Sequence, residues 1–242
     1  KIENGSFLIV GKRTQLICGE MHYSCIPHEY WRDRLKRTKA MGLNTISTYV
    51  LGNFHKRQLD IFDFKGQADL SHFIKLTQEE SLYVLLRPGL YVFAEWDFGG
   101  YPYRLLNEEG MVFRSRNEHF LKACERYIMR LGEELSSQTI NRRDNILMVQ
   151  LENEYVYFDM ESEKKEEFLR VLSDACIRNG IDVPLFTCVT PEVRGSHDPV
   201  ISQLFDMDNQ YVWWNMHEAK SRIEKLKAEQ SNAPAFVCEL QG

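Results

Sequence analysis

The chain has 242 residues, 43% hydrophobic and 12% aromatic, which is enough for a sizeable core and too apolar for a disordered segment. Its net charge is −5 with no concentrated basic face, which argues against nucleic acid or an anionic membrane as a partner. No apolar run approaches the length that would span a bilayer.

The sequence opens on Lys1 without a secretory leader; removal of an upstream segment is the expectation, and localisation stays open. A hairpin is predicted around Lys1 to Lys12, then a first strand at Leu16-Ile17-Cys18. Glu29 to Met41 reads as a helix with Tyr30, Trp31, Leu35 and Met41 on one side, ended by Gly42. Thr45 to Val50 is a β-branched second strand, and Asp69 to Glu80 a second helix. Leu82 to Arg87 is a third strand, stopped by Pro88-Gly89. The loop from Leu90 to about Arg116 is long enough to suggest function rather than connection. Glu118 to Leu135 is a third long helix. Ile146-Leu147-Met148-Val149 is a fourth strand, apolar enough to be covered on both faces, and it turns polar at Gln150 to Tyr155. Glu161 to Arg178 is a helix whose neighbouring Glu and Lys residues read as a solvated face. Pro184 to Cys188, Leu204 to Met207 and Ala235 to Glu239 are strands five to seven, with a helix from His217 to Glu229 before the last.

Strands separated mostly by helices point to parallel β/α units, and alternation alone fits a doubly wound sheet or an eightfold barrel. Polar or aromatic strand ends, and the lack of a Gly-rich loop after the first strand, favour a (β/α)8 TIM barrel. The chain stops three residues after Glu239, so the expectation is one catalytic barrel domain over residues 1–242, truncated before the eighth strand.

Asn153-Glu154 and Glu239 fall at the carboxyl ends of strands, where α/β folds gather ligands. Two carboxylates held across one barrel mouth are what retaining cleavage of a glycosidic bond requires, one protonated and one charged. The competing sites are weak. No metal-ligand spacing surrounds His22 or His28, and His55, His72, His119, His197 and His217 read as ordinary surface or helix residues. Trp213-Trp214 could stack on a sugar or pack a core, and Trp96 has the better claim to the substrate side. The six cysteines, Cys18, Cys25, Cys124, Cys176, Cys188 and Cys238, show no CxxC pair and read as isolated thiols.

Gly19-Glu20-Met21-His22-Tyr23-Ser24, Tyr30 to Leu35, Gly42 to Thr45, Leu86-Arg87-Pro88-Gly89, Ala94-Glu95-Trp96, Gly99-Gly100-Tyr101-Pro102 and Val149 to Tyr155 occur in that order. In them the chain resembles the glycoside hydrolase family 35 β-galactosidases, within the larger clan of (β/α)8 retaining glycosidases. The resemblance implies an exo-acting retaining β-galactosidase that takes a galactose-containing saccharide and needs no cofactor or metal; the alternatives are a related exo-glycosidase of different sugar preference and an inactive carbohydrate-binding barrel fragment. It implies Glu154 as acid/base, Glu239 as nucleophile, and Asn153 on the sugar 2-hydroxyl. Tyr49, Ala94, Glu95 and Tyr211 match galactose-binding positions, and Glu20 and Arg87 are placed to orient carboxylates. Glu152 is expected to support a strand-end residue rather than to catalyse. Departures lie at Leu51 to Lys56, where the family has a Trp-Asn-Phe-His-Glu run, and at Leu90, Phe93 and Val156.

Overall fold

Three short antiparallel strands open the chain, Ile2–Glu3 (β1), Ser6–Ile9 (β2) and Lys12–Thr14 (β3), so the expected hairpin is a three-stranded meander. The fold is a computed structural model that describes residues 1–56, 61–158, 161–211 and 216–241. Seven parallel strands follow the meander: Cys18–Glu20 (β4), Thr45–Tyr49 (β5), Tyr83–Arg87 (β6), Ile146–Gln150 (β7), Leu185–Cys188 (β8), Phe205–Tyr211 (β9) and Val237–Gln241 (β10).

These strands pair strictly in chain order, β4 through β10. A doubly wound sheet reverses order at a switch point, so that alternative is removed. The sheet also curls. Tyr49 on β5 donates to Glu239 on β10 at 2.9 Å, although five strand spacings laid flat would separate them by roughly 24 Å. This is the curvature of a (β/α) barrel. Among the described residues no eighth strand lies between the edges of β4 and β10.

Helices Trp31–Ala40 (α1), Gly52–His55 (α2), Leu70–Glu79 (α3), Glu118–Leu135 (α4), Ser162–Arg178 (α5) and Met216–Glu229 (α6) occupy the crossovers. Two of them begin on side-chain caps. Asp69 accepts from the His72 amide at 2.8 Å and Asn117 from the Phe120 amide at 3.1 Å, each satisfying one amide left open at a helix start. Alternation sorts each strand into two layers. Val84 and Leu86 pack outward against α1, α3 and α4, while Leu85 turns to the interior. There Leu147, Phe186, Phe205 and Met207 meet Phe7, Ile9 and Leu16, so the meander forms a floor beneath the barrel.

Several boundaries differ from expectation for physical reasons. The first strand lies at Cys18–Glu20, two residues on, because its ladder to β5 pairs Cys18 with Thr45 and Glu20 with Ser47. β9 runs four residues beyond Met207. Asp208, Asn209 and Gln210 look like loop residues in sequence but are buried and hydrogen-bonded, with Arg222 of α6 reaching Asp208 and the Asn209 carbonyl, each at 2.6 Å. β10 continues through Glu239 with a register shift at Cys238, so this glutamate sits within its strand rather than closing it. α2 went unanticipated. Its His55 is buried, not superficial, between the Tyr23 hydroxyl and the Asp63 carbonyl, and burial lowers its pKa to about 4. Lys165 likewise leaves the solvated face of α5 and pairs with Glu192 at 3.2 Å.

Candidate active site

The carboxyl ends of the seven strands converge on one rim, and Arg87 stands at its centre. It ends β6, is fully buried, and lies 4.1 Å from the centre of the Tyr49 ring. Its guanidinium donates to Gln150 Oε1 at 2.6 Å, Glu20 Oε1 at 3.0 Å, Asn153 Oδ1 at 2.9 Å, and Glu239 Oε1. One planar cation thus ties together β4, β6, β7 and β10 through its fixed donor fork.

Glu239 receives three donors. Arg87 and the Tyr49 hydroxyl meet Oε1, and the Tyr211 hydroxyl meets Oε2 at 2.8 Å. Burial by itself raises this carboxyl's pKa, but the Arg87 charge and hydrogen bond, with the two phenols, overcome it and hold the group below the ordinary carboxylate range. Glu20 shares the same cation with the opposite outcome: burial dominates, the neighbouring Glu239 charge adds to it, and its pKa is raised. Of two acids on one guanidinium, Glu239 is the one kept charged. Tyr49 and Tyr211 are pushed up by burial first and by Glu239 as well, so both keep their protons and donate.

Glu154 follows β7 on a turn with φ 48° and ψ 46°, left-handed geometry that costs a non-glycine residue about 1–3 kcal/mol. Its Oε1 accepts from Asn209 Nδ2 at 3.0 Å and from the Tyr211 hydroxyl at 3.3 Å. Tyr211 therefore bridges Glu154 and Glu239, and the two bonded oxygens can be no farther apart than those lengths laid end to end, about 6 Å. Glu152 also has positive φ, at 59°. Its carboxylate grips Arg114 at 2.6 and 3.1 Å and accepts from the Asn153 amide at 2.9 Å, while Arg114 donates to the Asn153 carbonyl at 2.6 Å. Glu152 thus clamps the strained turn, which is the supporting role expected of it. That role comes from the turn and not from strand alternation, because β7 has already ended at Gln150.

A cavity of about 700 Å³ opens over this rim, lined among others by Glu20, His22, Tyr49, Ala94, Glu95, Tyr211 and Glu239. Asn153 and Glu154 lie behind it, 1% and 8% exposed, with Tyr211 in between. Glu95 is exposed on the cavity wall with φ 48° and, among the described residues, hydrogen-bonds neither glutamate of the pair. His22 packs beside Tyr49, with ring centres 5.0 Å apart. Among the described residues no group of three His, Cys, Asp or Glu side chains is placed to hold a metal ion.

The sequence model of the family described as glycosyl hydrolases family 35 matches residues 6–242. The chain belongs to glycosyl hydrolase family 35. Among similar proteins, "Beta-galactosidase-1-like protein 3" of Homo sapiens is 37% identical over 75% of this chain and 27% of its own length. "Beta-galactosidase" of Canis lupus familiaris is 40% identical over 75% and 27%. "Beta-galactosidase" of Xanthomonas manihotis is 41% identical over 62% and 25%. The chain thus spans about a quarter of the length of these relatives. Among solved structures, the exo-beta-1,4-mannosidase Op5Man5 from Opitutaceae bacterium strain TAV5 superposes with TM-score 0.77 at 12% identity, over 98% of this chain and 47% of the other. A beta-mannanase from Streptomyces thermolilacinus gives 0.65 at 14% identity, over 100% and 75%. At that identity the likeness is one of fold, and both share this family 35 chain's barrel.

Sequence reasoning missed Asn209 and Cys188. Asn209 hid in a polar run that reads as the end of a strand, and Cys188 among thiols taken as isolated. Trp96, read for the substrate side, donates its indole N–H to Asn53 Oδ1 at 2.8 Å and packs edge-on to Phe54, which secures the long loop. Trp213 and Trp214 lie outside the described residues.

Proposed function

We propose that residues 1–242 form one catalytic barrel of a retaining exo-β-galactosidase that releases terminal β-galactose from saccharides. The observation that carries this reading is the single Tyr211 hydroxyl shared by Glu154 and Glu239. It keeps the nearest oxygens within about 6 Å, which favours the roughly 5–5.5 Å spacing of retaining pairs over the wider gap that admits a water in inverting ones. Membership of family 35, and the name β-galactosidase carried by the canine and bacterial relatives, supports the substrate.

In this reading Glu239, kept charged by Arg87, attacks the anomeric carbon and forms a glycosyl ester. The glycosidic C–O bond breaks as Glu154 gives its proton to the leaving oxygen. Glu154 then takes a proton from water, whose oxygen attacks the same carbon and frees Glu239. Asn153 takes the sugar 2-hydroxyl, and Tyr49, Ala94, Glu95 and Tyr211 line the galactose pocket, with Glu95 accepting sugar hydroxyls from the cavity wall.

A 2-deoxy-2-fluoro-galactosyl inhibitor should label Glu239 in the purified protein carrying this chain, located by peptide mass mapping. Glu154→Gln should abolish turnover of lactose. A label on another residue, or lactose hydrolysis persisting in Glu154→Gln, refutes the assignment.

A further inference from the structure

Behind the Asn153–Glu154 turn lies the thiol of Cys188, at the end of β8 and fully buried. Four polar groups of the rim meet its sulfur. The thiol donates to Asn153 Oδ1 at 3.4 Å. It accepts from the backbone amide of Glu154 at 3.4 Å and from Gln150 Nε2 at 3.4 Å, with Asn209 Nδ2 at 3.9 Å. Sulfur is a weak hydrogen-bonding atom, yet among the described residues it is the sole partner of the amide of the residue read as the acid.

The topology explains why the contact matters. Glu154 sits in left-handed geometry three residues beyond Leu151, whose amide joins β7 to the Phe186 carbonyl at 2.7 Å, and its own amide meets the Cys188 side chain rather than a backbone carbonyl. An amide buried without a partner is costly, on the scale of the strain of the turn itself. Remove the sulfur, and the turn has reason to relax to ordinary backbone geometry, carrying the Glu154 carboxyl with it. The same sulfur selects the rotamer of Asn153, because Oδ1 faces Cys188, Arg87 and Gln150 together. That leaves Nδ2, which is buried and has no partner among the described residues, as the free end of the amide. Burial, the largest influence on the thiol, keeps it protonated and therefore able to donate.

We infer that Cys188 is a positioning residue, whose thiol fixes the Glu154 backbone and the Asn153 amide so that the acid and the sugar-binding amide present themselves together. This rests on the galactosidase reading of the site and deepens it. A group that only fills space would serve every substrate alike. One that aims the acid serves most the substrates that need a proton. Aryl galactosides with a dinitrophenolate leaving group need almost none, whereas lactose needs it fully.

The experiment compares wild type, Cys188→Ala and Cys188→Ser on dinitrophenyl β-galactoside and on lactose, with melting temperatures recorded for each. Wild type should hydrolyse both. Cys188→Ala should lose on the order of tenfold or more in kcat/KM on lactose and less than about threefold on the dinitrophenyl substrate. Cys188→Ser keeps a donor and an acceptor and should recover most of the loss, although it is no better at filling the space of sulfur. Equal losses on the two substrates, no loss on either, or a serine variant no better than alanine overturn the role of Cys188 while leaving the parent reading intact. A wild-type protein that cleaves neither substrate overturns that reading, and this one with it.

Discussion

Arg87 donates to four acceptors, and its fork connects Glu20 and Glu239 with the amides of Gln150 and Asn153. Replacing it with methionine keeps the bulk and removes the charge. Glu239 would then face burial, the influence that raises its pKa, without the cation that now overrules it. In wild type the acid limb of kcat/KM against pH should fall below the ordinary glutamate value of about 4.3. In Arg87→Met it should move up, so that activity fades from a higher pH as the solution is acidified. The same sign holds for stability. A carboxyl depressed in the fold stabilises it above the unfolded pKa, and that contribution is lost as pH drops through the folded value. Loss of one partner from a buried pair costs about 3–5 kcal/mol, so melting curves must accompany the kinetics. An acid limb that stays in place in a folded Arg87→Met protein would show that the charge on Glu239 does not depend on this guanidinium.

At the scale of elements, the helices were legible because their signals are local. Asp69 and Asn117 cap where such residues should, and α4 spans the residues its periodicity marks. The ends of the barrel strands were less legible for one shared reason. Asp208, Asn209 and Gln210 are polar in sequence and become strand only because Arg222, far along the chain, satisfies what they bury. Periodicity cannot report a partner that tertiary folding supplies, and so Asn209 was lost while Tyr211, two positions on, was found by resemblance. Gln150 and Cys188 follow the same rule, for their meaning lies in what they touch. The dependence of β9 on α6 can be measured. Arg222 is 43% exposed, which discounts the electrostatic part of its tie to Asp208. Arg222→Ala should therefore lower stability by about 1 kcal/mol, or roughly 2–4 °C in Tm. Its kcat/KM should fall several-fold, because Asn209 and Tyr211 hang on the same strand end. A variant that loses the melting temperature but keeps full kcat/KM would show that β9 orders its end without α6.

At the scale of the molecule, the barrel divides its work between two ends. The rim at the carboxyl ends of the strands carries strained backbone, buried charge and unpartnered amides, all of which weaken a fold. The opposite end carries strain of its own in the positive φ of Asn4 and Val10, but its interior is apolar. There Phe7 of the meander packs edge-on against Phe205 and Phe236, with ring centres 6.4 and 5.8 Å away, in a floor of Leu147, Met148, Phe186 and Met207. If the floor offsets what the rim costs, the two should be separable by mutation, as the general split between the faces of β/α barrels implies. Phe7→Ala removes a large buried ring and leaves a cavity, a change that costs about 3–5 kcal/mol in well-packed cores, with the low end apt for a side chain at the margin of burial. For a chain of this size that corresponds to a fall of roughly 6–12 °C in Tm. Measured at a temperature where both proteins remain folded, kcat/KM should agree with wild type within about twofold, since Phe7 belongs to the floor cluster and not to the rim. A drop in kcat/KM well below the melting transition would mean that the floor sets the geometry of the rim through the strands, and that stability and catalysis in this barrel are one property rather than two.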